Sequence, residues 1–508
     1  SIPDPIFQWS LLLAEVSEIS SNAFVQAEKN YDCQAEHNLF TQKYHMLNTD
    51  QKEAFDTITG ALDAEGATNT HFFLQGPAGT GKTFLYNTLC HFIRGQGKIV
   101  LCVASSGIAA LLLPGGRTSH SRFKIPLEID SNSRCSVKSN SDLANLIRQT
   151  SLIIWDEVPM QHRFCFEAVD RTLQDICNNQ LLFGGIPVVL GGDFAQIAPV
   201  VRKGGRPEIV EASLLSSTII WSKLRKLELK VNMRLSQMNE SDRFFSKWIA
   251  QLSYNPQSNG MIMLPQYIKQ HHSKTYFINS IYPTTILNNP TDHNAFFQER
   301  AILCSKNADV ESINQRIIDK VAGNTVTLYS QNTTDLTGDS QDNFPVEYLQ
   351  SLAPSGLPPH RLVLKVGLPV MLLRNINPEK GLCNGTRLII KRIGQYVLQV
   401  SVPGPDGNER LELIPRFTLS TLPSELPFIL TRKQFPIKVC FAMTINKSQG
   451  QSLKTVGVDL RSSVFTHGQL YVALSRVTSA AGLHILLDDK THHAMNVVYP
   501  EILFRNTQ

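Results

Sequence analysis

The chain has 508 residues, 42% of them apolar and 18% charged, with a formal net charge of +5. This is the composition of a globular chain with a packed core, long enough for roughly three or four domains. Its mild positive charge admits nucleic acid without requiring it. No apolar run approaches the ~20 residues of a membrane-spanning helix, so no membrane association is expected. The nine cysteines include no C-x-x-C pair, which argues against a zinc ribbon or a dithiol redox site. Their odd number and scatter suit reduced thiols in an intracellular compartment, nuclear or mitochondrial.

Residues 1–47 read as a helical lead-in, with Trp9, Leu12, Leu13, Val16 and Ile19 at helical spacing. Such a stripe packs on the domain that follows or receives a partner. Opening on Ser1 rather than Met is what a piece of a longer chain is expected to do.

From 48 to 235 apolar runs alternate with helix-length segments. Strands are expected at His71–Gln75, Lys98–Ala104, Ser151–Trp155 and Ile186–Leu190, the pattern of a parallel sheet covered on both faces. Glu128–Ser141 is polar and reads as a surface excursion. A second α/β region begins near 236, with a strand at Ala301–Ser305 and a helix at Val310–Ile318. Residues 321–360 are polar and read mainly as loops. Between 367 and 432 the runs Arg387–Ile393, Tyr396–Val402 and Glu409–Phe417, with a turn at Pro405-Asp406-Gly407, suggest a small inserted β-barrel. The parallel pattern resumes at Ile437–Met443 and closes with a helix near Gly468–Ser475.

The stretch Gly76-Pro77-Ala78-Gly79-Thr80-Gly81-Lys82-Thr83 fills the phosphate-loop pattern G-x-x-x-x-G-K-[ST] between an expected strand and an expected helix. Its glycines let backbone N–H groups curl around a triphosphate, with Lys82 on the β/γ-phosphates and the Thr83 hydroxyl on Mg²⁺. Phe84, Leu85, Thr88, Leu89, Phe92 and Ile93 continue at helical spacing, aiming a helix N-terminus at the anion. Ile153-Ile154-Trp155-Asp156-Glu157 is a strand ending in two acids, expected to neighbour the loop's strand. Asp156 is a candidate Mg²⁺ ligand and Glu157 a candidate base for the attacking water. Gln196, after Gly191-Gly192-Asp193-Phe194-Ala195, is placed to sense the γ-phosphate. The pairs His271-His272 and His492-His493 have no acidic or Cys partners nearby in sequence and read as solvated surface histidines rather than metal ligands.

Together with Gln51, Val231-Asn232-Met233-Arg234, Thr444-Ile445-Asn446-Lys447-Ser448-Gln449-Gly450 and Tyr471-Val472-Ala473-Leu474-Ser475-Arg476-Val477, these motifs resemble the superfamily-one DNA helicases of the B branch, the Pif (petite-integration-frequency) family. The runs Ser355–His360 and Gly381–Arg387 are similar to its eukaryotic members and to Helitron transposon helicases. The resemblance covers roughly residues 45–500. It implies an α/β fold of two RecA-like parallel-sheet P-loop domains, 48–235 and 236–366 with 433–508. It also implies a wedge insertion at 119–146 and an SH3-like barrel at 367–432.

The implied activity is ATP- and Mg²⁺-dependent 5′-to-3′ translocation on single-stranded DNA with unwinding of tailed duplex, by a monomer. Gln51 would select adenine, and Gly450 would join the nucleotide site. Arg234 and Arg476 would act as arginine fingers, which are worth about 10³–10⁵ in rate. Ser105, Ser106, Thr118, His120, Thr444, Lys447 and Gln449 fall where the family tracks the DNA backbone, and their groups suit phosphate oxygens. Phe123 either stacks on a base or packs in the core. Asn446 stands where many members have His, as in the Helitron-like group. Two alternatives fit the same motifs: the motor half of a rolling-circle transposase, or an ATP-switched clamp on single strands.

Overall fold

The structure, a computed structural model, describes residues 22–63, 70–233, 240–335, 344–354, 356–403, 409–488 and 492–503. The apolar stripe Trp9–Ile19, the Pro405–Gly407 turn and Arg234 lie outside the described residues.

Helices α1 (Ala23–Lys29) and α2 (Cys33–His45) pack on the first domain. Each is opened by a capping side chain, Asn22 and Asp32, that accepts from the first free N–H groups. Glu28 of α1 pairs with the buried guanidinium of Arg122. Phe40 of α2 stacks on Phe55 of α3 (Thr49–Asp63). For these two helices, packing is the outcome.

The first sheet has six parallel strands: β1 (His71–Gln75), β2 (Ile99–Ala104), β3 (Arg117–Thr118), β4 (Thr150–Asp156), β5 (Val188–Gly192) and β6 (Arg225–Glu228). Their spatial order is β3-β2-β4-β5-β1-β6. Successive side chains point to opposite faces, and the strands divide accordingly between two cores. Phe73, Leu101, Val103, Ile153, Trp155 and Leu190 enter one. Phe72, Leu74, Val100, Cys102, Ile154 and Val189 enter the other. This two-sided burial is why the strands read as unbroken apolar runs. The expected adjacency of the acid-bearing strand to the loop's strand is corrected: β5 pairs with both β1 and β4 and lies between them.

A second parallel sheet takes the order Ala442–Thr444, Arg300–Cys304, Thr455–Asp459, Leu483–Leu486, Lys269–His271. The expected single strand Ile437–Met443 splits. Ile437–Val439 joins an antiparallel sheet, Ala442–Thr444 joins the parallel one, and the chain crosses between them at Cys440 and Phe441. Apolar periodicity cannot show such a switch, because both halves are buried.

The antiparallel sheet runs Glu409–Pro415, Val397–Pro403, Arg387–Ile393, Pro369–Leu372, Ile437–Val439. Its two outer strands run on, past Arg416 and from across Phe435 and Pro436, into Phe417–Ser420 and Ile429–Gln434, which pair with each other antiparallel. Residues 321–360 hold more structure than their polarity suggested, with strands Val326–Tyr329 and Gln331–Asp335 and helix Val346–Ser351. Gln331–Asp335 pairs with Ile429–Gln434, and the fully buried Arg432 donates to the carbonyls of Leu349, Leu352 and Pro358.

Candidate nucleotide cleft and strand path

The phosphate loop leaves the carboxyl end of β1, where Gly76 N–H still donates to Gly192 O (3.2 Å), and enters helix α4 (Lys82–Gly95). Gly81 has φ +80°, and a Cβ there would fall 2.3 Å from Gln51 Nε2. Both its conformation and its surroundings therefore require glycine. The Gln51 amide is committed behind the loop, donating to Thr80 O (3.0 Å) and accepting from Asn48 N–H (3.1 Å). It can reach a base only by exchanging these bonds. Lys82 Nζ donates to Gly76 O across the loop.

Asp156 ends β4 and Glu157 follows it with φ 54° and ψ 38°. The left-handed region costs a non-glycine residue of order 1–3 kcal/mol, a strain that clusters at functional sites. Burial, and then the neighbouring Asp156 charge, lift the Glu157 carboxyl to about 7, against the pull of Lys82 and Arg476. Burial also raises Asp156. A carboxylate near neutrality can accept a proton from water at working pH. Asp156 Oδ1 is buried without a hydrogen-bond partner, and Thr83 lines the same cavity. A hard cation supplies what that oxygen lacks, so these residues fit Mg²⁺.

A cavity of about 280 Å³ joins the two parallel sheets. Pro77, Ala78, Gly79, Gly81, Lys82, Thr83, Asp156, Glu157 and Gln196 line it from the first domain, and Gly450 and Arg476 from the second. Gln51, Gly76 and Thr80 stand behind this surface. Gln451, Ser452 and Ser475, which no sequence motif singled out for this role, also line it. Arg476 is held by its own domain, through the carbonyls of Val472 (2.9 Å) and Gln451 (3.0 Å).

The expected strand-contacting residues divide into two groups. Ser106 and Thr118 accept backbone N–H groups as N-caps of helices α5 (Gly107–Leu111) and α6 (Ser119–Phe123), which leaves their hydroxyl protons directed elsewhere. Lys447 is exposed, His120 and Thr444 are half-buried, and Lys447 Nζ stands 3.5 Å from Asn384 Oδ1. One open alternative is decided and two expectations are corrected. Phe123 is 1% exposed and stacks on Trp155 at 5.5 Å, so it is a core residue. Ser105 donates its proton to Gln161 Oε1 (2.9 Å) and cannot also donate it to a phosphate. Gln449 is buried and donates to Gln196 Oε1 (3.3 Å), which places it in the seam between the domains.

The histidine pairs are corrected in part. His271 Nε2 lies 3.1 Å from His484 Nδ1, and only His272, His492 and His493 are exposed. Among the described residues no three His, Cys, Asp or Glu side chains converge as a metal site would require.

The family model for PIF1-like helicases matches residues 46–259, and that for the DNA helicase Pif1 2B domain matches 347–393. Over these two stretches the chain matches the Pif1-like helicase family. It is 27% identical over 473 residues to the ATP-dependent DNA helicase Pif1 of Psychrobacter sp., covering 82% of this chain and 66% of that protein. It is 26% identical over 442 residues to the same enzyme of Bdellovibrio bacteriovorus, covering 87% and 88%. Among solved structures, one of DNA unwinding at forked duplex by two coordinating Pif1 helicases is 26% identical with a TM-score of 0.61, covering 86% of this chain and 91% of that one. The chain thus spans about two thirds of the Psychrobacter relative and most of the Bdellovibrio one.

Within this Pif1-like framework two polar centres went unread in the sequence. Gln161 Oε1 takes the indole N–H of Trp155 (3.2 Å) and the hydroxyls of Ser105 (2.9 Å) and Ser119 (3.1 Å), tying the acid-bearing strand to the residues beside both helix caps. The buried Asp193 gathers groups from both domains. Gln161 lies in no motif and Asp193 enters one only as part of the run before Gln196, because the role of each is defined by what meets it in space.

Proposed function

We propose that the chain is an ATP-dependent DNA helicase that translocates 5′ to 3′ on single-stranded DNA and unwinds tailed duplex. The observation that carries this reading is one cavity lined from both domains, with Lys82, Thr83, Asp156 and Glu157 on one side and Arg476 on the other. Such a site is complete only when the domains are together, so nucleotide turnover and domain motion are linked.

In this reading the loop N–H groups and Lys82 hold the β/γ-phosphates. Bound Mg²⁺, held by Thr83 and Asp156, supplies charge neutralisation at those oxygens. Glu157 orients and deprotonates the attacking water, and Gln196 faces the γ-phosphate. Arg476, with Arg234 as the expected second finger, balances charge developing on the transferred group. Ser106, Thr118, His120, Thr444 and Lys447 follow the strand backbone. The family relationship supports DNA as the track, and the cleft being built within one chain supports a monomer as the acting unit.

The deciding experiment is unwinding of duplexes with 5′ and 3′ tails side by side. Strand displacement from the 5′-tailed duplex alone is expected. DNA-stimulated hydrolysis with neither duplex unwound would point to a clamp, and displacement from the 3′-tailed one would reverse the polarity.

A further inference from the structure

The seam between the two domains centres on one carboxylate. Asp193 follows β5 and is fully buried, and no ion pair reaches it among the described residues. Its Oδ1 accepts from the Tyr254 hydroxyl (2.5 Å), from Ala195 N–H (3.0 Å) and from Gln75 Nε2 (3.4 Å). Its Oδ2 accepts from the Tyr471 hydroxyl (3.0 Å). Both phenols come from the second domain, Tyr254 at the end of helix α7 (Glu240–Tyr254) and Tyr471 within the short helix Gln469–Leu474. Both raised their burial cost by keeping a polar atom inside, and Asp193 satisfies it.

Each phenol also accepts a second bond: Tyr254 takes one from Gln75 Nε2 at 3.4 Å, and only Tyr471 reaches into the phosphate loop. Its oxygen also accepts the Ala78 N–H of the phosphate loop at 3.3 Å. Ala78 lines the nucleotide cavity, so this N–H is one for which a phosphate oxygen competes. Five residues on from Tyr471 stands Arg476, on the opposite wall of that cavity. The helix between them cannot shift freely. Gly468, just before it, has φ +72°, and a Cβ there would fall 2.5 Å from the carbonyl carbon of Gln196.

We propose that Tyr471 is a positioning residue for hydrolysis, its one phenolic oxygen joining the phosphate loop at Ala78 to the helix that delivers Arg476. The hydroxyl has one proton, given to Asp193, and a lone pair, given to Ala78 N–H. A triphosphate that takes over the Ala78 N–H releases this second bond and leaves Tyr471 held by Asp193 alone. Loop occupancy and the placement of Arg476 then change together. The proposal rests on the hydrolytic reading above.

The test is Tyr471→Phe in the full chain, with Tyr254→Phe as its companion. Both variants keep the ring and remove one donor from Asp193, but only the first touches Ala78. With a fluorescent ATP analogue, Tyr471→Phe is expected to bind about three- to tenfold tighter than the parent, because the loop N–H no longer has a bond to give up. Its single-strand-stimulated kcat is expected to fall at least tenfold while KM for ATP holds or drops. Tyr254→Phe is expected to lower the melting temperature without separating kcat from KM. Equal analogue affinity for Tyr471→Phe and the parent would overturn the proposal, as would the same kinetic change in both variants. The binding arm needs no turnover, so a parent chain that fails to hydrolyse ATP refutes the hydrolytic reading while the affinities still decide the role of Tyr471.

Discussion

On the first domain's wall of the nucleotide cavity, the active groups sit at or just beyond strand ends. Gly76 follows β1, Asp156 ends β4, and Gln196 lies four residues past β5. On the second domain's wall, Arg476 and Gly450 come from the far end of a six-residue helix and from a turn. The first wall inherits its geometry from a sheet whose strands are buried on both faces. The second holds Arg476 through its own carbonyls, Val472 and Gln451, and meets the first wall through the seam: Asp193 with the two tyrosines, Gln196 with Gln449, and Phe194 O with His467 (2.8 Å). A wall built this way is adjustable, which suits the side of a cleft that moves.

The sharpest way to break this comparison is Arg476→Ala. If the second wall contributes only at the transition state, steady-state hydrolysis should fall by about 10³–10⁵, while equilibrium binding of ATP changes by less than tenfold. An equal loss of binding and turnover would put Arg476 in ground-state binding instead.

Phe123→Ala tests the first wall as a packed scaffold. Its ring is buried against Trp155, next to the acid pair, so chemical denaturation should show a loss of about 3–5 kcal/mol. Single-strand affinity per folded molecule should stay within about twofold of the parent. Weakened DNA binding in a stably folded variant would restore Phe123 to the strand path.

Acid stability separates the two sides more gently. His467 of the second domain is buried between Phe194 O and Tyr499 N–H, and burial pushes it down to about 4. Its folded value lies below the ordinary 6.5, so the unfolded chain binds the extra proton first. The stability it contributes is fully present above pH 6.5 and is lost as pH falls toward 4. At about 1.4 kcal/mol per unit the loss is at most about 3.5 kcal/mol. His484, pushed to about 4 mainly by burial, acts in the same direction. Urea melts at pH 7.5 and 5 should differ less for His467→Gln than for the parent.

The smallest effect is expected at Lys447→Ala. This exposed side chain is one phosphate contact among several, so single-strand affinity should fall a few-fold and the salt slope should shrink by about one. An unchanged slope would take Lys447 off the strand path.

Much of the first domain was legible because its signals are local. Strand Ile99–Ala104 and helix Lys82–Gly95 follow from unbroken apolar runs and from helical spacing after a glycine loop. The misreadings share one cause, which is that a residue's partners were out of view. Phe123 in a run with His120 looks like a base platform until Trp155 is found against its face. Gln331–Asp335 looks like a loop because its partner strand is almost a hundred residues away. Ser105 and Gln449 carry the right groups for a phosphate, and only their neighbours Gln161 and Gln196 show those groups already engaged.

The sequence by itself determined the chemistry available to this protein. A loop that only glycines permit, two acids ending a strand and an arginine beyond a short helix are properties of residue type and spacing, and these are set along the chain. Tertiary structure alone decided which of these groups share a cavity, which hydroxyls keep a proton to give, and that β5 separates the loop's strand from the acids' strand. It also made a hub of Asp193, an aspartate with no motif role of its own. Hydrogen-bonding capacity belongs to a residue, but its expenditure depends on whatever the fold brings within about 3 Å of it.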